Sequence, residues 1–126
     1  MNAKACLSAL GSLLAFAVPT QAATVVCSGT IDTLQFDATS TGSGYFSIKL
    51  GTMNVAVYFC DPTNSFSAPG GYAISPEACR ALYATVLAAK VSGIPVTNMY
   101  FDGTEVPATC DGWVQWQSAN IRHYLF

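Results

Sequence analysis

The chain carries little charge. Its 126 residues hold five Lys and Arg, seven Asp and Glu, and a single histidine. Lys4 is the only charged residue before Asp32. No basic stripe exists, which argues against a nucleic-acid partner held through its phosphates. Long apolar runs are also missing. The most apolar stretch, residues 7–18 (LSALGSLLAFAV), is too short to cross a bilayer, which needs about 20 residues. The mature chain is therefore expected to have no membrane span.

Catalytic signatures are absent as well. No Ser lies in a Gly-x-Ser-x-Gly setting, and no glycine-rich loop is built to cradle phosphate. His123 stands alone in a strand-like pattern, where a rim residue is the ordinary reading and a general base the special one. The aspartates Asp32, Asp37, Asp61, Asp102 and Asp111 fall mostly at turns, where Asp bonds local backbone. Asp102 and Glu105 are close enough in sequence to act as a carboxylate pair on a glycoside. A chain this small leaves little room for such a cleft, and we expect no enzyme.

What is present points first to export. Lys4 precedes the apolar run, Pro19 breaks it, and Thr20, Gln21 and Ala22 supply a small-residue cleavage site. Residues 1–22 read as a signal peptide, with Cys6 inside it, and residues 23–126 as one domain of the periplasm or the exterior. Val26 is too bulky to precede a lipidated Cys27. Cys27, Cys60, Cys79 and Cys110 remain, an even number in a short exported chain, so two disulfides are expected. Three pairings are open. No two of these cysteines lie close in sequence, unlike the paired ligands usual at zinc, so no metal and no cofactor is expected.

Residues 24–36 read as one long strand bent at Gly29. Residues 45–50 alternate, with Phe46, Ile48 and Leu50 inward and Tyr45, Ser47 and Lys49 outward. Gly51-Thr52 suggests a tight hairpin turn into residues 53–59, whose Met53, Val55, Val57 and Phe59 face the core. Ser75, Pro76 and Glu77 open a helix over residues 76–91, and Gly93 closes it. Its buried face should carry Cys79, Leu82, Val86 and Ala89, broadened by Tyr83 and Leu87. Residues 96–101 form a further strand ended by an Asp102-Gly103 turn. Residues 105–112 form a loop, and residues 113–117 and 120–126 are extended. The fold class expected is α+β, mainly β: a small antiparallel barrel or curved sheet of five to six strands, like an oligonucleotide/oligosaccharide-binding (OB) barrel, with one central helix.

Two groups of residues carry functional expectations. Tyr72, Trp113 and Trp116 are candidate ligand-binding aromatics, because Trp and Tyr rings beside amides and hydroxyls suit sugar or protein surfaces. Core packing competes with that role, and we expect one tryptophan inside and one partly exposed. Ala81, Ala84, Thr85 and Ala88 make a small-residue stripe on the helix. Such a stripe is either plain helix-forming surface or a contact face for a second copy of the chain.

Several features occur in a set order: Cys60 after a strand, Ser75-Pro76-Glu77-Ala78-Cys79 opening an Ala-rich helix, Pro95-Val96 to Tyr100 as a strand, then Cys110 and Trp113. This order resembles small exported bacterial proteins and is similar to the B subunits of AB5-type toxins, the pertussis-like and subtilase-like ones above all. The resemblance implies an OB barrel, a central helix, ring assembly and glycan binding, and it carries over no sugar-binding residue. In that architecture the favoured disulfides are Cys60–Cys79, tying a strand end to the helix, and Cys27–Cys110, tying the first strand to a late loop. The function expected is a non-catalytic binding module, homo-oligomeric and directed at a glycan. The alternative is a monomeric periplasmic accessory or inhibitor acting by protein contact.

Overall fold

The computed structural model describes residues 22–126. The expected export signal, with Lys4, Cys6 and the apolar run, lies outside the described residues except for Ala22.

Six strands and one helix follow in the order β1 (Ala23–Gly29), β2 (Ile31–Ala38), β3 (Gly44–Leu50), β4 (Val57–Cys60), α1 (Pro76–Val91), β5 (Val96–Gly103) and β6 (Asn120–Leu125). They form two antiparallel three-stranded sheets, β1-β5-β6 and β2-β3-β4. The sheets are joined at two places. β1 runs into β2 through Thr30. On the far side, Tyr58 of β4 bridges Ser118 in the parallel sense, its N–H donating to Gln117 O and its carbonyl accepting from Ala119 N. The result is a mainly β α+β fold in which two three-stranded sheets meet at both ends and one helix packs on them.

Residues 24–36 are thus two strands in different sheets rather than one bent strand. The break has a local cause. Gly29 sits at φ +113°, and a Cβ there would stand 3.1 Å from Gly51 N. The β3 end is drawn against this corner: Gly51 N donates to Thr30 O and Thr52 N to Ser28 O. Only glycine permits both the positive φ and the close approach. A turn does form at Gly51-Thr52, with Met53 N donating to Leu50 O, but it is not the expected two-residue hairpin, since the ladder resumes only where Val57 pairs with Ile48. The next strand is shorter than the sequence suggests, however, and begins at Val57. Asn54 is held elsewhere, its side chain bonded to the Trp113 backbone in both directions, which takes residues 53–56 off the ladder.

The helix has the predicted bounds. Ser75 accepts from Ala78 N, Pro76 occupies the first turn, and Gly93 follows at φ +68°. Cys79, Val86 and Ala89 are buried, and Leu82 and Tyr83 pack partly against the core. Tyr83 stacks on Phe46 of β3 at 3.9 Å. Leu87 is a correction: it is exposed, lying beyond the stripe that meets the sheets. Lys90 reaches back from the last turn and donates to the carbonyls of Ile31 and Asp32, covering the start of the β2 edge.

The disulfides are Cys27–Cys110 and Cys60–Cys79. The first pins β1 to the loop after β5. The second fixes the first turn of α1 to the end of β4. Asp102 and Gly103 are a second correction, since they end β5 instead of forming a turn. Among the described residues no helix is long and apolar enough to cross a membrane.

Candidate functional site

The two tryptophans divide as the sequence led us to expect. Trp113 is buried and packs edge-on against Phe101 at 5.6 Å, so its ring belongs to the core. Trp116 is 63% exposed.

The backbone at Trp116 is the unusual feature. Residues 113–117 are not an extended segment. Gln117 N donates to Val114 O, closing a four-residue turn with Gln115 and Trp116 at its centre. Trp116 has φ +72°, and no other non-glycine residue described has a positive φ. A single positive φ at the third position is the signature of a type II turn, where glycine or asparagine normally stands. A bulky side chain there costs about 1–3 kcal/mol and persists only where the surroundings impose it. Here they do. Val114 N donates to the Gln117 side chain, Tyr58 N to Gln117 O, Ser118 N to Glu105 Oε2, and Asn54 holds the Trp113 backbone. The turn thus projects an indole from the seam between β4 and β6.

The ring does not stand alone. It stacks on Tyr58 with centroids 5.9 Å apart and planes 29° apart. Tyr58 in turn lies 5.3 Å from Tyr45, and Tyr45 lies 5.9 Å from Phe66. Strand register explains the grouping. Tyr45 and Tyr58 occupy the outer faces of β3 and β4, with Ser47 opposite Tyr58. Phe66 arrives on the loop before α1, where it exchanges two backbone hydrogen bonds with Ile74.

These aromatics wall a hollow of about 590 Å³ whose remaining lining is polar: Ser43, Asp61, Asn64, Ser65, Ser67 and Ser118. That volume lies within the range of small-ligand sites, about 300–1,000 Å³. The Trp116–Tyr58 pair also borders a second hollow of about 200 Å³, lined further by Gln35, Asp37, Ser47, Val55, Ala56 and Gln115.

Two ionisable groups of the first hollow are displaced from their ordinary behaviour. Burial pushes the Asp61 carboxyl up, but hydrogen bonds from the backbone and side chains of Thr63 and Asn64 together outweigh it and hold the group below its usual value. Asp61 is thus an ionised carboxylate committed to shaping its loop. Burial, with smaller contributions from Asp37 and Tyr45, raises the Tyr58 hydroxyl, which stays protonated at neutral pH.

The other sequence-selected residues lie apart. Tyr72 borders a separate hollow of about 300 Å³ with Thr24, Gly70, Gly71, Asp102 and Arg122, and shares no lining residue with the Trp116 site. Asp102 and Glu105 do not act on a common point: Asp102 accepts from Thr24 and pairs with Arg122, whereas Glu105 accepts from Ser118 N. His123 lies exposed on β6 beside the Tyr100 ring. Among the described residues no cluster of His, Cys, Asp and Glu is arranged to hold a metal ion. Ala81, Ala84, Thr85 and Ala88 are all exposed, and the Thr85 hydroxyl donates to Ala81 O within the helix.

Sequence reasoning selected Trp116 but not its neighbours as a site. The available signal is alternation, which turns Tyr45 outward and, with Val57 and Phe59 inward, turns Tyr58 outward as well. Phe66, Asp61 and Asn64 carried none, because the loop fold brings them there. Comparison of the chain with protein-family descriptions, curated proteins and solved structures finds no match.

Proposed function

We propose that this chain is a non-catalytic binding module of the periplasm or cell exterior that holds a glycan at Trp116. The observation that carries the reading is the exposed indole held at positive φ over Tyr58, on the rim of a hydroxyl- and amide-lined hollow. An apolar sugar face stacks on such a ring while neighbouring hydroxyls and amides bond its rim oxygens. Backbone strain maintained for an exposed aromatic is more easily explained by binding than by stability. Two disulfides support an oxidising compartment, and with it export.

The resemblance to AB5-type toxin B subunits agrees with this reading and adds ring assembly, for which the exposed stripe at Ala81, Ala84, Thr85 and Ala88 is the proposed contact. The test is a glycan array probed with the oxidised chain 23–126, followed by titration of tryptophan fluorescence with each ligand found. Trp113 is buried, so a ligand-dependent change should come from Trp116 and vanish in Trp116→Gly. An array without ligands, or binding that Trp116→Gly leaves intact, would refute the reading.

A further inference from the structure

Charge and shape around Trp116 narrow the ligand class, on the premise that the site binds a glycan. We infer that it takes an uncharged oligosaccharide whose adjacent rings lie on either side of the Trp116–Tyr58 pair, and that it rejects acidic sugars. Among the described residues Trp116 and Tyr58 alone line both hollows, so the two spaces adjoin at one aromatic pair. The larger holds about 590 Å³ and the smaller about 200 Å³. A ligand filling both must be longer than one ring and must cross the indole.

The electrostatics point the same way in both spaces. Among the described residues the only charged side chain lining the larger hollow is Asp61, and the only one lining the smaller is Asp37. Among the described residues no Lys, Arg or His lines either. The nearby cations are engaged elsewhere: Lys49 pairs with Asp32, and Arg80 with the Pro62 carbonyl and Glu77. Asp61 spends its oxygens on Thr63 and Asn64, and Asp37 accepts from Gln35 and Ser47. A sialic or uronic acid carboxylate would meet two fixed negative charges with no counter-ion, and such like-charge placement discriminates strongly between ligands. Neutral hydroxyls meet no such penalty, and Ser, Asn and Gln side chains can pair with them.

The experiment is an array of matched oligosaccharides, each neutral structure printed beside its sialylated or uronic form and beside its component monosaccharides. The expected ligands are neutral and at least two rings long. Their acidic counterparts and single sugars should bind at least tenfold more weakly. Asp37→Asn should recover binding of the acidic counterparts relative to the neutral ones, while circular dichroism and elution volume verify that the variant folds. Equal or tighter binding of acidic forms or of monosaccharides would overturn this inference and leave glycan binding standing. An array with no ligand at all would remove both.

Discussion

Replacing Trp116 by glycine and by alanine gives a sharp test of the turn that builds the site. In ordinary backbone, Gly is less stable than Ala by about 0.5–1 kcal/mol, because it loses more freedom on folding. At Trp116 the order should invert. The residue sits at φ +72°, and a Cβ in that region costs about 1–2 kcal/mol while glycine has none. Both variants lose the stacking on Tyr58, which is worth about 0.5–1.5 kcal/mol, so that loss cancels in the comparison. The difference left should favour Trp116→Gly over Trp116→Ala by about 1 kcal/mol, or roughly 4 °C in Tm for a domain near 100 residues. Urea and thermal unfolding with the disulfides intact measure it. Against the native protein, Trp116→Gly should lie within about 1 kcal/mol, since relief of strain offsets lost stacking. A glycine variant less stable than the alanine variant would mean that position 116 is not held in the left-handed region, and the argument from strain to function would fall with it.

Other expectations rest on separate features. Removing Cys27–Cys110 as a double Ala variant should cost more than removing Cys60–Cys79, because the closed loops differ in sequence separation, 83 against 19. Chain entropy gives about 4.5 and about 3 kcal/mol respectively, and equal denaturant midpoints would contradict it. The Asp61 carboxyl is held below its usual value, so its contribution is fully present above the ordinary carboxylate range and is lost as pH falls through the depressed folded value. Asp61→Ala should therefore flatten the loss of stability seen in acid titrations, and also cost about 1–3 kcal/mol at neutral pH by stranding the Thr63 and Asn64 donors. A Cβ on Gly71 would collide with Asn120 Oδ1, which accepts from Ala68 N and Tyr72 N, so Gly71→Ala should destabilise by about 1–3 kcal/mol. Finally, light scattering on the chain 23–126 should give a ring-sized mass that Ala84→Glu reduces to a monomer; a mass unchanged by that variant would dismiss the helix stripe as a contact.

Local chemistry wrote the helix and most of the strands into the sequence. Ser75, Pro76 and Gly93 mark the helix ends because their side chains, or lack of one, act within a few residues. Alternation in residues 45–50 fixes a strand for the same reason, and an even set of well-separated cysteines signals disulfides before any contact is known. The division of residues 24–36 between two sheets was not legible, since it depends on Gly51 arriving against Gly29 from more than twenty residues away. Nor was the early end of the ladder at residues 53–56, which follows from Asn54 bonding the Trp113 backbone.

The candidate site shows the same division. Sequence supplied an exposed-aromatic candidate, Trp116, and outward positions for Tyr45 and Tyr58. Tertiary structure alone decided that Trp113 is core and Trp116 is surface, and that Tyr72 belongs to a different hollow. It also set a tryptophan where a type II turn ordinarily takes glycine, a choice no local propensity predicts. That conformation is imposed by bonds from Tyr58, Glu105 and Asn54, residues between 11 and 62 positions away along the chain. Signals confined to one turn of chain were readable from the sequence; those requiring distant segments to meet were settled only when the two sheets came together.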